Sequence, residues 1–292
     1  MRITIFTATY NRAYLIKNLY ESLCQQSYKN IEWIVVDDGS TDQTEELFNQ
    51  FITEGNIEIK YIKQSNKGKH FAINKGVLNA TGTLFFIVDS DDKLPKKSLE
   101  ILNNYYQTNK NLPNFGGLAG RNSYFDGRLV GSQNNFDTVF SNALEIRYKH
   151  KIEGDLSEIF LTNVLKEFPF PEIENEKFCP EALVWNRIAQ KYNLLYFSES
   201  IYFCEYNDDG LTAKIVKIRM NAPIASMICY SELNSYKIPI KEKIKANINF
   251  WRFSFNSNLS FFKKSKMINH TFSLIGFSVG FAMFINDKRK YQ

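Results

Sequence analysis

The chain has 292 residues, 44% hydrophobic and 15% aromatic, enough apolar material for a large core in one catalytic domain plus an appendage. Its formal charge of +5 is modest, suits an anionic ligand or membrane face, and is too diffuse to argue for a nucleic-acid partner, so none is expected. The four cysteines (Cys24, Cys179, Cys204, Cys229) form no Cys-x-x-Cys pair, so neither a zinc site nor a disulfide framework is indicated.

Residues 2–9, Arg-Ile-Thr-Ile-Phe-Thr-Ala-Thr, read as a buried first strand running into Tyr10-Asn11-Arg12. In residues 13–24, Leu15, Ile16, Leu19 and Leu23 recur at helical spacing. Residues 31–36 form a second strand that runs into Asp37-Asp38-Gly39-Ser40-Thr41-Asp42. Thr41 is expected to cap the next helix, with Glu45 and Glu46 in its first turn. A third strand covers 57–62, and the run Phe85-Phe86-Ile87-Val88 a fourth. Strand and helix alternate to about residue 108, which predicts an α/β fold with a parallel sheet covered on both faces.

The fourth strand ends in Asp89-Ser90-Asp91-Asp92. Ligands of such folds bind beyond the carboxyl ends of the strands, and Asp89 and Asp91, two apart, point to the same side. Neighbouring carboxylates repel unless a cation lies between them, and a hard divalent cation sharing phosphate oxygens is the usual solution. The same run also reads as a solvated turn capping a helix that begins near Pro95. Three polar clusters, Thr9 to Arg12, Asp37 to Asp42 and Asp89 to Asp92, nevertheless fall on one edge of one sheet.

The order Ala-Thr-Tyr-Asn-Arg, then Val-Val-Asp-Asp-Gly-Ser-Thr-Asp, then Asn66-Lys67-Gly68-Lys69 with Ala72 and Asn74, then Val-Asp-Ser-Asp-Asp resembles the inverting glycosyltransferases of family 2. The likeness is strongest over residues 1–110 and resumes at 154–212. Ala8 stands where the family usually has Pro, and adopts the same extended backbone.

The resemblance implies the GT-A fold: a Rossmann-like mixed, mainly parallel sheet flanked by helices, with a helical C-terminal appendage. It divides the chain into a catalytic domain over 1–212, with a nucleotide-sugar half (1–110) and an acceptor half (111–212), and a helical region over 213–292. It also implies a nucleoside-diphosphate sugar donor, a saccharide or lipid-linked saccharide acceptor, and Mn²⁺ or Mg²⁺ as cofactor. On this reading Thr9 and Tyr10 line the nucleobase pocket together with Asn11 and Arg12. Asp38 accepts from the base, Asp37 stands beside it, and Lys67 and Lys69 pair with the nucleotide. Asp89 and Ser90 meet the ribose or the metal's water shell, and Asp91 binds the metal. Asp37 also reads as a turn anchor, Lys67 and Lys69 as an exposed loop, and Gly68 and Gly76 as backbone accommodations.

Inverting transfer also needs a base. Pro180 suits a first helical position and Leu183, Val184, Arg187 and Ile188 continue a helix to about Tyr192, so Glu181 sits in its first turn. Family members commonly carry a Glu-Asp pair here, the second carboxylate being the base, with Arg six residues on; Glu181 and Arg187 reproduce that spacing. Pro180 replaces the first acidic partner. Glu174 and Glu176 are the reserve candidates, and a helix-capping carboxylate is the plain alternative. Residues 205–212 resemble the family's segment over the diphosphate but lack its His, with Asp208 and Asp209 nearby.

Other chemistries find little support. There is no Gly-x-Gly-x-x-Gly after the first strand and no Gly-x-x-x-x-Gly-Lys-Ser/Thr loop. None of the three histidines adjoins a plausible nucleophile, which disfavours a Ser-His-Asp hydrolase. A sugar-nucleotide nucleotidyltransferase and a non-catalytic nucleotide-sugar binding module remain the alternatives. Gly116 to Gly120 are expected to pack closely near the donor, and Phe125-Asp126-Gly127-Arg128 to form a hairpin turn.

Beyond residue 213 lysines alternate with aromatic residues, and residues 271–285 carry no charge. That run is shorter than the ~20 residues of a spanning helix. It reads either as an interfacial helix on an anionic membrane surface or as a helix packed on the catalytic domain or on a second subunit. With the first strand starting at residue 2, no signal peptide is expected, and the expected location is cytoplasmic or peripheral on the inner face of the cytoplasmic membrane.

Overall fold

A computed structural model describes residues 1–131, 136–205 and 214–291. The chain forms two compact units, Met1–Pro169 with Ile188–Glu205, and Phe170–Arg187 with Tyr206–Gln292. The boundary expected at residue 212 lies outside the described residues, as do Asp208 and Asp209.

In the first unit strands and helices alternate: β1 (Ile3–Thr9), α1 (Ala13–Cys24), β2 (Ile31–Asp37), α2 (Thr44–Glu54), β3 (Ile59–Lys63), α3 (Lys69–Asn79), β4 (Leu84–Ile87) and α4 (Ser98–Asn109). There follow β5 (Phe115–Ser123), β6 (Val139–Ser141), α5 (Ala143–Tyr148), β7 (Leu156–Leu161) and α6 (Thr162–Glu167). The chain then forms α7 (Glu181–Ile188) and β8 (Asn193–Phe203). Among the described residues eight strands make one sheet in the order β3-β2-β1-β4-β7-β5-β8-β6. β1 to β4 are mutually parallel, as are β5 and β8; β7 is antiparallel to β4 and β5, and β6 to β8. This is the expected mixed, mainly parallel sheet flanked by helices.

β2 is buried at all its positions, as a parallel strand covered on both faces must be. The apolar stripe of α1, with Ile16, Leu19 and Leu23, packs with Trp33, Phe48 and Phe51 on one side of the sheet. On α3, a Cβ added to Gly76 would lie 2.3 Å from the Phe6 ring, so only glycine lets this helix settle onto β1. β2 and β3 lie to one side of β1 and β4 to the other. The carboxyl edge between β1 and β4 is therefore a topological switch point, the place where ligands of such sheets bind.

Several local expectations are corrected. Thr41 does not cap α2: Gln43 holds the cap position without a side-chain cap bond, and Asp42 just before it accepts from the Thr44 N–H at 3.2 Å through Oδ1. α4 starts at Ser98, beyond Pro95, with Lys97 before it and no side-chain cap, so the acidic run is not its cap. α7 stops at Ile188 rather than continuing to Tyr192. The glycines of β5 do pack tightly, but against Tyr192 and the β7 and β8 strands rather than near the acidic edge. The hairpin at 125–128 is observed, with Tyr124 N–H donating to Arg128 C=O at 2.8 Å.

The second unit is helical: most of α7, then α8 (Ile215–Asn221), α9 (Pro223–Ser235), α10 (Ile240–Ser254), α11 (Phe261–Met267) and α12 (Ser273–Tyr291). Met227, Phe250, Trp251 and Ile268 form its core.

Opposite the acidic edge, one buried carboxylate ties three strands together. Glu32 Oε1 accepts from the Thr4 hydroxyl at 2.5 Å and from the Thr81 and Gly82 N–H groups at 2.8 and 2.9 Å. Burial resists ionisation of Glu32, yet the bonds from Thr4, Thr81 and Gly82 win and its pKa falls below the ordinary value. A depressed folded pKa contributes stability that is present above the unfolded value, ~4.3, and is lost as pH falls through the folded one. Glu32→Gln should therefore lower stability at pH 7 by about 1–3 kcal/mol. It should also flatten the loss of stability below about pH 4.5, as measured by denaturant melts at stepped pH.

Candidate active site

The four strand ends at the switch point are laced together by side chains of their own loops. Thr9, Asp37 and Lys63 end β1, β2 and β3 in register. Asn11 takes φ = 52°, a left-handed conformation that Asn tolerates better than most residues. From there its N–H donates to Ser40 Oγ at 2.9 Å and its Oδ1 accepts from the Thr41 N–H at 2.8 Å. Asp42 also accepts from the Ala13 N–H at 3.1 Å, so it holds the start of α1 as well as that of α2.

The paired aspartates after β2 divide the work. Asp37 is fully buried; Oδ1 accepts from the Ser40 N–H at 2.8 Å and Oδ2 from the Tyr61 hydroxyl. It anchors the turn from a buried position. Asp38 accepts from Gln64 Nε2, Lys67 N–H and Gly68 N–H, each at 2.8 Å, clasping the loop that enters α3. A carboxylate has about four lone-pair sites, so among the described residues one acceptor position on Asp38 Oδ2 is unspent. Gly68, at φ = 104°, makes this turn possible. Lys67 is exposed, its ammonium 5.6 Å from the Phe71 ring centroid. Thr9 is 3% exposed and its Oγ1 is buried without a hydrogen-bond partner among the described residues. Tyr10 beside it is 48% exposed.

At the end of β4, the exposed Asp91 meets Arg12 at 3.3 Å and Asp89 meets Lys69 Nζ at 2.6 Å, all four side chains roughly one-third to one-half exposed. Ser90 between them is buried. Such half-exposed pairs contribute only about 0–1 kcal/mol each, so a competing ligand can open them cheaply. Asp92 faces inward. Its Oδ2 accepts from the buried Tyr202 hydroxyl at 2.7 Å, and the same hydroxyl accepts from the Asp89 N–H at 2.9 Å. Burial, then the charge of Asp89, and then that of Asp91 push the Asp92 carboxyl up to about 8, against the lowering effects of Tyr202 and Lys69. Backbone bonds between Lys93 and Phe203 fasten the same loop to β8. Sequence reasoning missed both Asp92 and Tyr202; the signal for Tyr202 lies 110 residues from its partner.

Asp89 and Asp91 are the residues placed to hold a divalent cation. Among the described residues no group of three or more His, Cys, Asp or Glu is arranged around an ion position. Two carboxylates, with water and phosphate oxygens filling the other positions, are what Mg²⁺ usually takes from a protein. Asp89 and Asp91, two residues apart at the end of β4, are oxygen donors of the kind such an ion takes, so the donor set fits.

Glu181 lies in the first turn of α7, in the other unit, and is partly exposed. The reserve candidate Glu176 is corrected. It is buried, its two oxygens accepting from the Ile224 and Ala225 N–H groups at 2.7 and 2.8 Å, and it serves as the N-terminal clasp of α9. Glu174 is exposed. Arg187 makes a two-pronged pair with Glu232, at 2.8 and 2.6 Å, inside the helical unit.

Residues 4–155 match the model of the family described as glycosyl transferase family 2. That is half of the chain, and the chain belongs to this family. It is 39% identical over 101 residues to glycosyltransferase GlyA of Streptococcus pneumoniae, covering 35% of this chain and 14% of GlyA. Matches to GlyA and two further curated glycosyltransferases span 14, 34 and 18% of those proteins' lengths, and one to an uncharacterized glycosyltransferase of Haemophilus influenzae, 29% identical, spans 69%. Among solved structures, S. aureus TarS 1–349 in complex with UDP covers 99% of this chain and 89% of its own, at TM-score 0.62 and 19% identity. A mannosyltransferase, PcManGT from Pyrobaculum calidifontis in complex with GDP-Man and Mn²⁺, covers 99% and 86% at TM-score 0.60 and 16% identity. These two likenesses establish the shared GT-A fold.

Removing the Tyr202 hydroxyl should leave Asp92 and the Asp89 N–H without their partner. Tyr202→Phe is expected to cost about 1–3 kcal/mol of stability, read as a lower melting temperature, and to loosen the 89–93 loop, read as faster amide exchange there than in β1 or β2.

Proposed function

We propose that this chain is an inverting glycosyltransferase that moves a sugar from a nucleoside-diphosphate donor, a UDP-sugar, to a saccharide or lipid-linked saccharide acceptor in surface polysaccharide synthesis. The observation that carries this reading is the meeting of Arg12, Lys69, Asp89 and Asp91 in two weak ion pairs at the switch point. Cations and carboxylates that neutralise one another without a ligand are what a metal–diphosphate ligand would separate. The carboxylates would turn to the metal and the basic side chains to the phosphate oxygens. The known binding of UDP and UDP-GlcNAc by TarS, on the same fold, favours a uridine donor.

In this reading the unpartnered Thr9 hydroxyl and the remaining acceptor site on Asp38 face the nucleobase, and the Tyr10 ring covers it. Asp91 and Asp89 would hold a Mn²⁺ or Mg²⁺ ion, which would supply Lewis-acid stabilisation of the charge on the diphosphate. Arg12 and Lys69 add fixed positive charge on the same oxygens. Glu181 is the base: the acceptor hydroxyl oxygen bonds to the anomeric carbon, the carbon–phosphate oxygen bond breaks on the opposite face, and the hydroxyl proton passes to the Glu181 carboxylate. The nucleoside diphosphate leaves with the electron pair.

Two substitutions test these assignments separately. Asp91→Asn keeps the shape and removes the charge; it should leave the melting temperature near that of the parent while donor turnover falls by about 10²-fold or more, and calorimetry should show Mn²⁺-dependent UDP binding lost. Full activity in that variant would refute the metal assignment. Glu181→Gln should keep donor affinity while transfer falls by roughly 10²–10⁴-fold; parallel loss of binding and turnover would make Glu181 structural.

A further inference from the structure

The C-terminal helix of the second unit has two unlike faces. Gly276 and Gly280 are buried against α10, where an added Cβ would lie 1.9 Å from Asn247 Oδ1 and 2.7 Å from the Ile248 carbonyl. One helical turn further, Arg252 of α10 holds the buried Asp287 through two hydrogen bonds, at 2.5 and 2.7 Å. The glycines and this ion pair fix which side of α12 turns inward. The outward side is therefore set, and it is apolar: Leu274 is 84% exposed, Ile275 52%, Val279 41% and Phe281 46%.

α11 extends the same surface. Phe261 and Phe262 are 65% and 67% exposed, and the Phe261 ring lies 6.1 Å from that of Phe277 on α12. Monomeric soluble domains rarely leave so many large apolar side chains together in water. Basic residues border the surface at both ends: Lys263 and Lys266 on α11, with Lys266 Nζ 4.3 Å from the Phe262 ring centroid, and Lys288, Arg289 and Lys290 on the last turn of α12.

We propose that this α11–α12 face docks on the surface of an anionic lipid bilayer. The charges decide between the candidate occupants. A second copy of the chain seated on the face would bring its own five cations against these five, whereas anionic headgroups neutralise them. The face lies on the membrane rather than through it. No single described helix is long and apolar enough to cross a membrane; α11 and the following helix reach that length and apolarity only as a pair, and that pair is bent by 111°. The stretch of α12 ahead of Asp287 is about 21 Å long at 1.5 Å per residue, against ~30 Å for a hydrocarbon core. Phenylalanines and leucine on one side of a helix, with lysines and arginine at its border, are the composition of an interfacial anchor. The proposal stands apart from the transfer chemistry and can fail without it.

Flotation of the full chain with vesicles tests it. The protein should float with mixed phosphatidylcholine–phosphatidylglycerol vesicles at low salt, less so as salt rises, and much less with phosphatidylcholine alone. Leu274→Asp with Ile275→Asp, both at exposed positions, should cut vesicle affinity by about tenfold or more with an unchanged melting curve. Replacing Lys288, Arg289 and Lys290 together by Gln should weaken binding to the anionic vesicles by about fivefold per residue removed. A full chain that stays in the soluble fraction at low salt with both vesicle types would overturn the proposal. So would a dimer in light scattering that Leu274→Asp dissociates, since that result would assign the face to a second copy.

Discussion

The site is organised by mutual repulsion among Asp89, Asp91 and Asp92. Three carboxylates in four residues cannot all be ionised side by side without compensation, and the surrounding structure supplies it in three directions. Arg12 comes from the loop after β1, Lys69 from the start of α3, and the Tyr202 hydroxyl from β8. Each partner belongs to a different element, so compensating the charge also fastens β1, α3, β4 and β8 to one another. Asp92 itself is pushed up to about 8, first by burial and then by the charges of Asp89 and Asp91. The two weak, half-exposed ion pairs are the physical basis for reading the edge as a metal–diphosphate site, because such a ligand can open them at little cost.

Much of the first half was legible because it depends on local pattern. The stripe of Ile16, Leu19 and Leu23 has a helix period, and α1 occupies Ala13–Cys24 as that period requires. The alternation of strand and helix fixed the parallel run of β1 to β4, and with it the common edge of three polar clusters. What sequence reading missed depends on which of several similar groups reaches a given donor. Thr41 and Asp42 are both good caps, but only Asp42 lies where it can serve Thr44 and Ala13 together, while Thr41 bonds Asn11. Asp37 and Asp38 look alike in sequence, yet one is sealed beneath Tyr61 and the other clasps the Lys67–Gly68 turn.

Long-range partners were the least legible. Nothing near Glu176 announces that it caps α9, some 48 residues on, nor does anything near Arg187 announce Glu232. Tyr202 reaches the acidic loop because β8 pairs with β5, and the register of that pairing cannot be read from alternation alone. The C-terminal region shows the same limit from the other side. Its composition left open whether the uncharged run packs or docks, and the structure shows it doing the first on the Gly276–Gly280 side while leaving the opposite side uncovered.

The central claim is that this edge of the sheet binds a nucleotide sugar for transfer, and its products test that most directly. The purified chain would be incubated with Mn²⁺ and a panel of nucleoside-diphosphate sugars, alone and with simple saccharide acceptors, and the released species weighed by mass spectrometry. The account predicts a nucleoside diphosphate, UDP foremost, released only when the metal is present. Release of pyrophosphate would instead indicate nucleotidyl transfer, and no release from any donor, despite tight nucleotide binding, would mark a binding module and contradict the account.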